Sequence, residues 1–155
     1  MPIVKSILDR LLRQTPAPAP LPEPDAELAL GALLVRVAMS DREYDAKEIG
    51  EIDHILSLSF NLGPIEAAKM RATCERLEKA APGTGAFAKL IRSGVEHAQR
   101  VDMMSALWMV ALADGEKDNE EEKLLRQLQN ALGLSDIDYK TARERAEAEH
   151  GGESE

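Results

Sequence analysis

A chain of 155 residues is long enough to form one domain with an ordinary hydrophobic core. Its 28 acidic and 19 basic residues give a formal net charge of -9, which argues against nucleic-acid binding because no basic stripe is present to displace phosphate counterions. A single cysteine excludes an internal disulfide, and no apolar run is long enough to span a bilayer, so we expect a cytoplasmic protein.

Residues 1–14 predict a short amphipathic helix. Its apolar side chains share one face at helical spacing: Ile3, Val4, Ile7, Leu8, Leu11 and Leu12. Because a helix this short is marginal in water, that face needs a surface to cover it. A membrane, a partner protein and the chain's own domain are the three alternatives. The opposite face is not strongly basic, so contact of residues 2–14 with the inner face of a membrane would be weak and peripheral.

Residues 15–24 contain prolines at alternate positions and predict an extended Pro/Ala linker to the main domain. The main domain is expected over residues 25–150, and residues 151–155 are expected to form a disordered tail. Periodicity and turn residues predict seven helices in this domain, at residues 25–40, 46–61, 64–79, 86–93, 96–113 and 119–132 and in a last helix capped by Ser135. No segment alternates with period two, so the predicted fold class is all-α.

Two of these helices, at residues 25–40 and 96–113, are apolar on almost every side, which is typical of central helices. The second contains several large side chains at helical spacing, which we interpret as core rather than ligands: Met103, Met104, Trp108 and Met109. Gly133 is expected to end the helix before it in a left-handed conformation. Helix-on-helix packing therefore accounts for most of the apolar residues of the chain.

The main domain contains an internal repeat in which residues 37–48 return as residues 110–121. Each copy is the end of an apolar helix, a short acidic loop and the start of an amphipathic helix. Four acidic positions coincide: Asp41 with Asp114, Glu43 with Glu116, Asp45 with Asp118, and Glu48 with Glu121. The apolar positions continue in step, Ile52 with Leu125 and Ile55 with Leu128. The bundle is therefore expected to have an internal pseudo-repeat.

Half of these acidic residues have the spacing of helix caps. Asp45 and Asp118 directly precede amphipathic helices, and each is followed three residues later by a glutamate, Glu48 or Glu121. In a capping box the first side chain accepts a hydrogen bond from a first-turn N–H group, and the glutamate reaches back. This arrangement needs no metal ion.

Asp41 and Asp114 lie at the opposite kind of helix end. Each follows an apolar helix, where exposed carbonyl groups already concentrate negative charge. A hard divalent cation would relieve that conflict by binding carboxylate and carbonyl oxygens. The alternative is that each aspartate bonds to its own turn, or pairs with Arg36 or Lys47.

The two loops are not EF-hands. The position at which an EF-hand has its bidentate glutamate is occupied here by Ile52 in one loop and Leu125 in the other. Any cation site would therefore be weaker, rich in water, or shared between the loops. Sharing requires that a pseudo-two-fold axis relates the two copies.

The residues of the repeat also resemble the TerB-like family, which is named for a bacterial tellurite-resistance protein. Residues 111–116, Ala-Leu-Ala-Asp-Gly-Glu, are similar to the loop motif of that family, and residues 132–135 are similar to its turn after the second amphipathic helix. Residues 38–43 depart from the motif because Arg42 stands where glycine is usual. The resemblance implies a seven-helix fold, divalent-cation binding and a role in metal or chemical stress, often near membranes.

We therefore expect an all-α, TerB-like module of the tellurite-resistance or stress-response type that binds a divalent cation, Ca²⁺ or Mg²⁺, and a protein partner. The candidate metal ligands are the acidic residues of both loops: Asp41, Glu43, Asp45, Glu48, Asp114, Glu116, Asp118 and Glu121. The sequence contains no catalytic triad or phosphate-binding glycine loop, so we expect no enzyme activity. The alternative is a helical adaptor whose acidic loops only cap helices.

Overall fold

The computed structural model describes residues 21, 22, 24–40, 44–81, 85–113 and 119–153. These parts of the chain form seven α-helices and no β-strand: α1 Ala26–Met39, α2 Ala46–Phe60, α3 Pro64–Ala80, α4 Gly85–Gly94, α5 His97–Leu112, α6 Asn119–Ala131 and α7 Asp136–Glu153. The predicted all-α seven-helix bundle is confirmed, and the bounds of α1 to α6 agree with the predicted ranges to within one residue.

Two of the predicted segments fall largely outside this description. The N-terminal helix, residues 1–14, and most of the linker, residues 15–24, are not among the described residues. At the other end, α7 continues to Glu153 and so enters the predicted tail, residues 151–155. Among the described helices, none has the length and apolar character needed to span a membrane.

The internal repeat is present in the backbone as well as in the sequence. α1 ends at Met39 and α5 at Leu112, which are equivalent positions of the two copies, and α2 and α6 also begin at equivalent positions. The residue that follows each apolar helix makes the same turn: Ser40 N–H donates to Val37 O and Ala113 N–H to Val110 O, both over 3.2 Å. The three-helix unit α1–α2–α3 is therefore repeated as α5–α6–α7, with α4 between the copies.

Most contacts between the helices have a counterpart when the two copies are exchanged, although among the described residues the packing of α2 on α3 has no equally extensive counterpart between α6 and α7. α1 packs on α3 as α5 packs on α7, and these are the two most extensive packings of the bundle. α1 and α5 contact each other, α1 contacts α6, and α5 contacts α2. A pseudo-two-fold axis between α1 and α5 produces this pattern, because it carries each of these contacts onto another.

The core lies around the two central helices. α1 buries nine of its 14 residues, and α5 buries Met104, Leu107 and Trp108 completely. Tyr139 in α7 packs against Trp108 in a T-shaped arrangement, with ring centroids 5.5 Å apart. The interpretation of Met104 and Trp108 as core residues is therefore confirmed, and Met103 and Met109 pack partly buried against the same cluster.

The second helix of each copy ends in the same way. Asn61 and Gly133 follow α2 and α6 with φ angles of 54° and 70°, in the left-handed region. The next residue then donates back into the helix: Leu62 N–H to Ser57 O and Leu134 N–H to Gln129 O, both over 3.0 Å. This is the hydrogen bond of a Schellman motif, so the predicted role of Gly133 is confirmed.

A capping box starts α7 and is joined to the distant helix α5. Ser135 Oγ accepts from Asp138 N–H over 3.1 Å, and Asp138 Oδ2 accepts from Ser135 N–H over 3.0 Å. Asp138 Oδ2 also lies 2.8 Å from His97 Nε2 in the first turn of α5. Hydrogen bonds from His97 and from the Ser135 backbone lower the pKa of the Asp138 carboxyl group.

Asp138→Asn is expected to lower the free energy of unfolding at pH 7 by about 1 kcal/mol, as the loss of a capping interaction does. A carboxyl group whose pKa is lowered by folding stabilises the fold above its unfolded pKa, and that contribution disappears as the pH falls through the folded value. The difference between variant and parent should therefore shrink below about pH 4. Urea unfolding at pH 7 and pH 3 measures it. Glu144→Gln, at an exposed glutamate of the same helix, is the control, and a difference that does not change with pH would contradict the assignment.

Candidate cation-binding site

The described residues include three of the eight acidic residues that the sequence predicts as cation ligands. Asp45, Glu48 and Glu121 belong to the described residues, and all three lie at helix N-termini. The other five lie outside the described residues: Asp41, Glu43, Asp114, Glu116 and Asp118. The site is therefore built here from the helix ends that enclose the two loops, residues 41–43 and 114–118.

Asp45 is the N-cap of α2. Its backbone is extended, with φ -91° and ψ 173°, and its Oδ1 atom accepts from Glu48 N–H over 3.0 Å. The predicted capping role of Asp45 is confirmed by this bond. The return bond, in which the Glu48 carboxylate accepts from Asp45 N–H, stays a prediction, as does the equivalent role of Asp118.

Asp45→Ala is expected to lower the free energy of unfolding by about 1 kcal/mol, because an N–H group at the start of α2 loses its acceptor. The loss should be the same in chelator and in millimolar Ca²⁺ or Mg²⁺, since capping does not depend on a metal ion. Thermal unfolding under both conditions measures it. Asp25→Ala is the matched control, because Asp25 Oδ1 caps α1 in the same way by accepting from Leu28 N–H over 2.9 Å. A much larger loss for Asp45→Ala in the presence of cation would indicate ligation instead.

Glu48 and Glu121 are buried at equivalent positions of the two copies. Their exposed fractions are 1% and 2%, although each lies in the first turn of its helix, directly after an acidic loop. Each is followed at helical spacing by fully inward-facing apolar residues, Ile52 after Glu48 and Leu125 after Glu121. The two carboxylates therefore point toward the interior of the bundle rather than into solvent.

A pattern in the sequence predicts this burial, although the interpretation of both glutamates as caps and candidate cation ligands did not include it. Glu48 lies four positions before Ile52, and Glu121 four positions before Leu125, so each glutamate continues the apolar stripe of its helix by one turn. A charged residue on the inward face of an amphipathic helix is unusual, and here it occurs twice. The stripe, extended back by one turn, would have predicted that both carboxylates are buried.

A buried carboxylate requires compensation, because transfer of an ionised group out of water is costly without hydrogen bonds or an opposite charge. The N-terminus of a helix supplies part of it through free N–H groups and the positive end of the helix dipole. Glu48 and Glu121 both take part in polar or electrostatic interactions within the chain. A bound cation would act on the same carboxylates in the same direction, so capping and cation binding are compatible at these positions.

The ends of the two acidic loops meet at one cleft. Ser40, which directly precedes residues 41–43, and Glu120, which follows residues 114–118, both line a cleft of about 380 Å³ between α1 and α6. Lys123 of α6 and Arg36 of α1 also line it, and the Arg36 guanidinium pairs with Glu78 of α3 over 3.0 Å. The pseudo-two-fold axis thus brings the start of the first loop near the end of the second, as a shared site requires.

Within the described residues, no three histidine, cysteine, aspartate or glutamate side chains come together as a metal site. Complete coordination of a cation in this region would therefore require residues of the loops 41–43 and 114–118. The cysteine is not a candidate ligand: Cys74 is fully buried between helices, and burial raises the pKa of its thiol to about 12. It is protonated at physiological pH.

The family comparison agrees with the fold. The family model described as tellurite resistance protein TerB matches residues 27–144, from the first turn of α1 into α7. No curated protein and no solved structure gives a significant match to the chain. The family match covers most of the chain and includes both copies of the repeat and both acidic loops. The chain therefore belongs to the tellurite resistance protein TerB family.

Proposed function

We propose that this TerB-family domain is a non-catalytic module that binds a divalent cation between its two acidic loops and serves in a metal or chemical stress response. The cation is of the Ca²⁺ or Mg²⁺ type, because the available donors are carboxylate and carbonyl oxygens, which hard cations prefer. A cytoplasmic location and a protein partner belong to the same proposal. Cation binding is its central element and is the part that can be tested first.

The observation that carries the proposal is the pair of buried carboxylates, Glu48 and Glu121. Their exposed fractions of 1% and 2% place two carboxyl groups inside the bundle, each adjoining an acidic loop. One buried acidic residue at a helix start is adequately explained by capping. Two at equivalent positions, next to loops that add further carboxylates, concentrate negative charge to a degree that a divalent cation would stabilise.

The cleft between α1 and α6 supports a site shared by the two loops rather than one site in each. Ser40 and Glu120 bring the ends of both loops to this cleft. A shared site would also account for the absence of a bidentate glutamate at the EF-hand position, because each loop needs to supply only part of the coordination. Arg42, at the usual glycine position of the first loop, would then matter less than in a self-contained loop.

Isothermal titration of the chelator-treated full-length protein with CaCl₂, MgCl₂, MnCl₂ and ZnCl₂ tests the proposal. We expect Ca²⁺ or Mg²⁺ to bind with measurable heat, and Asp41→Asn or Asp114→Asn to weaken that binding. Asp114→Asn should have the larger effect, since its loop keeps the glycine of the family motif. Glu144→Gln, at an exposed position of α7, should leave the binding unchanged.

The second candidate function is a helical adaptor in which the acidic residues only cap helices. The cap formed by Asp45 favours it, because that carboxylate already has a structural role. The two functions give opposite results in the titration. If none of the four cations binds at millimolar concentration, and none raises the melting temperature, the cation proposal is wrong and the adaptor is the better description.

A further inference from the structure

A groove on the surface of the bundle lies between α2, α5 and α7 and has a volume of about 530 Å³. Its apolar lining includes Leu58, of which 70% is exposed, and the partly buried Met109. Its polar rim includes Glu149 and the ion pair between Asp102 and Arg145, 2.9 Å apart. We call it the α2–α5–α7 groove.

The pseudo-two-fold axis relates this groove to an occupied position elsewhere in the bundle. α4 packs on α1 and on α6. Exchange of the two copies carries α1 onto α5 and α6 onto α2. The counterpart of the α4 position is therefore the surface between α5 and α2, which is where the α2–α5–α7 groove lies.

Equivalent residues of the two central helices differ in burial, as expected if α4 covers α1 and no described helix covers the equivalent face of α5. Ala29 and Leu33 of α1 are completely buried. Their counterparts in α5 are Asp102, which is exposed, and Ala106, which is partly buried. Both line the groove. Within the described part of the chain, α4 packs on this face of α1, and no helix packs on the equivalent face of α5. That face of α5 is therefore available to bind one further helix.

The order of the helices along the sequence identifies the segment that would bind to this face of α5. α4 directly precedes α5, the first helix of the second copy, and residues 2–14 precede α1, the first helix of the first copy. α4 buries Phe87, Ala88 and Ile91, which have the spacing i, i+1 and i+4. The N-terminal segment offers the same spacing twice with apolar residues only: Ile3, Val4 and Ile7, and again Ile7, Leu8 and Leu11.

We propose that residues 2–14 bind as a helix in the α2–α5–α7 groove of the same chain, as the counterpart of α4. The charges agree, because the segment carries three basic residues against Asp9, while the groove carries Asp102 and Glu149 against Arg145. The tether has a reach of the required order, since residues 15–24 in a polyproline conformation extend over about 30 Å, roughly the diameter of a small domain. The connection of α4 to α5, by contrast, consists of only two residues, so the two segments would differ in the length of their tethers.

Paramagnetic relaxation in the full-length protein tests this placement. A nitroxide label on Asp9→Cys would lie on the polar face of the segment, and Cys74 stays unlabelled in the folded protein because it is completely buried. With ¹³C-methyl methionine, we expect the label to broaden the methyl signal of Met109, in the groove, and to leave that of Met39 sharp. Met39 lines the separate cleft between α1 and α6.

Two pairs of variants check that this broadening comes from docking. Leu11→Asp should restore the Met109 signal, and Ser6→Asp, which adds the same charge to the polar face, should not. On the groove side, Leu58→Asp should restore it, and Ile65→Asp should not, although Ile65 is 73% exposed on α3 and is equally apolar. Leu58 and Ile65 lie outside the core, and residues 6 and 11 precede the domain, so circular dichroism should show each variant to be folded.

Three results would overturn the proposal. The first is a Met109 signal that is unaffected by the label. The second is broadening that passes from a labelled chain to an unlabelled ¹³C-methionine chain in a mixture, since the groove would then bind a second copy. The third is loss of the Met109 broadening in the presence of phosphatidylglycerol vesicles together with co-sedimentation of the protein, which would assign the segment to a membrane surface.

Discussion

Gly31→Ala is expected to lower the free energy of unfolding by about 1–3 kcal/mol, the usual cost of overpacking a core. Gly31 lies in α1 where α3 packs against it. A Cβ atom added at Gly31 would overlap the Sγ atom of Cys74 and would lie 3.3 Å from the Cys74 Cβ. Cys74 is completely buried, so its side chain has no solvent into which it can move. Replacement of glycine in a helix normally stabilises by about 0.5–1 kcal/mol, so steric overlap reverses the sign.

A double-mutant cycle separates this overlap from a general effect of the substitution. Cys74→Ala alone should destabilise by opening a small cavity. Gly31→Ala combined with Cys74→Ala should recover most of the loss, because the new methyl group occupies the space that the sulfur leaves. The coupling free energy from urea unfolding should therefore be favourable and of the order of 1–3 kcal/mol. Gly50→Ala in α2 is the control, since a Cβ atom added at Gly50 would have no neighbouring atom within 4 Å.

If Gly31→Ala stabilised the protein as Gly50→Ala should, the close approach of α1 and α3 at Cys74 would be wrong. The single cysteine of the sequence excludes an internal disulfide, and in the structure Cys74 is free and buried. The sequence does not predict which residue Cys74 packs against. Gly31 and Cys74 belong to different helices, and their approach depends on the packing of α1 on α3 rather than on any local pattern.

The helices themselves were predictable because periodicity, caps and turn residues are local. Ser135 and Gly133 indicated the start of α7 and the end of α6 from their immediate neighbours, and both assignments are confirmed. The contact between His97 and Asp138 was not predictable in this way. These residues lie 41 positions apart, and the contact requires that α5 and α7 pack side by side.

The candidate site was predictable in part. The repeat identified the acidic positions and the cap at Asp45, which depend on sequence spacing alone. The burial of Glu48 and Glu121 could have been predicted from the apolar stripe, but their equal burial in both copies depends on the two-fold arrangement of the bundle. The meeting of Ser40 and Glu120 at one cleft depends on the same arrangement, which no spacing within either loop specifies.

Glu48→Gln combined with Glu121→Gln is expected to abolish the stabilisation of the protein by a divalent cation. A cation that binds only the folded state stabilises it by about 2.7 kcal/mol at a free concentration of about 100 times Kd. Glutamine has the shape of glutamate and keeps an oxygen that accepts from N–H groups, so capping should survive. The charge that attracts the cation is lost. In chelator the double variant should therefore be at least as stable as the parent, because a buried glutamine avoids the cost of burying an ionised carboxylate.

Thermal unfolding in chelator and in millimolar Ca²⁺ or Mg²⁺ measures both effects. Glu66→Gln combined with Glu144→Gln is the matched control: it removes the same charge from two exposed glutamates, one of them also in the first turn of a helix. This control should keep the full rise in melting temperature. If the rise persists in the Glu48→Gln and Glu121→Gln variant, the cation is bound without these carboxylates and the burial of both needs another cause. If the melting temperature of the parent does not rise with cation, helix capping alone explains the burial of Glu48 and Glu121. The protein is then better described as a helical adaptor.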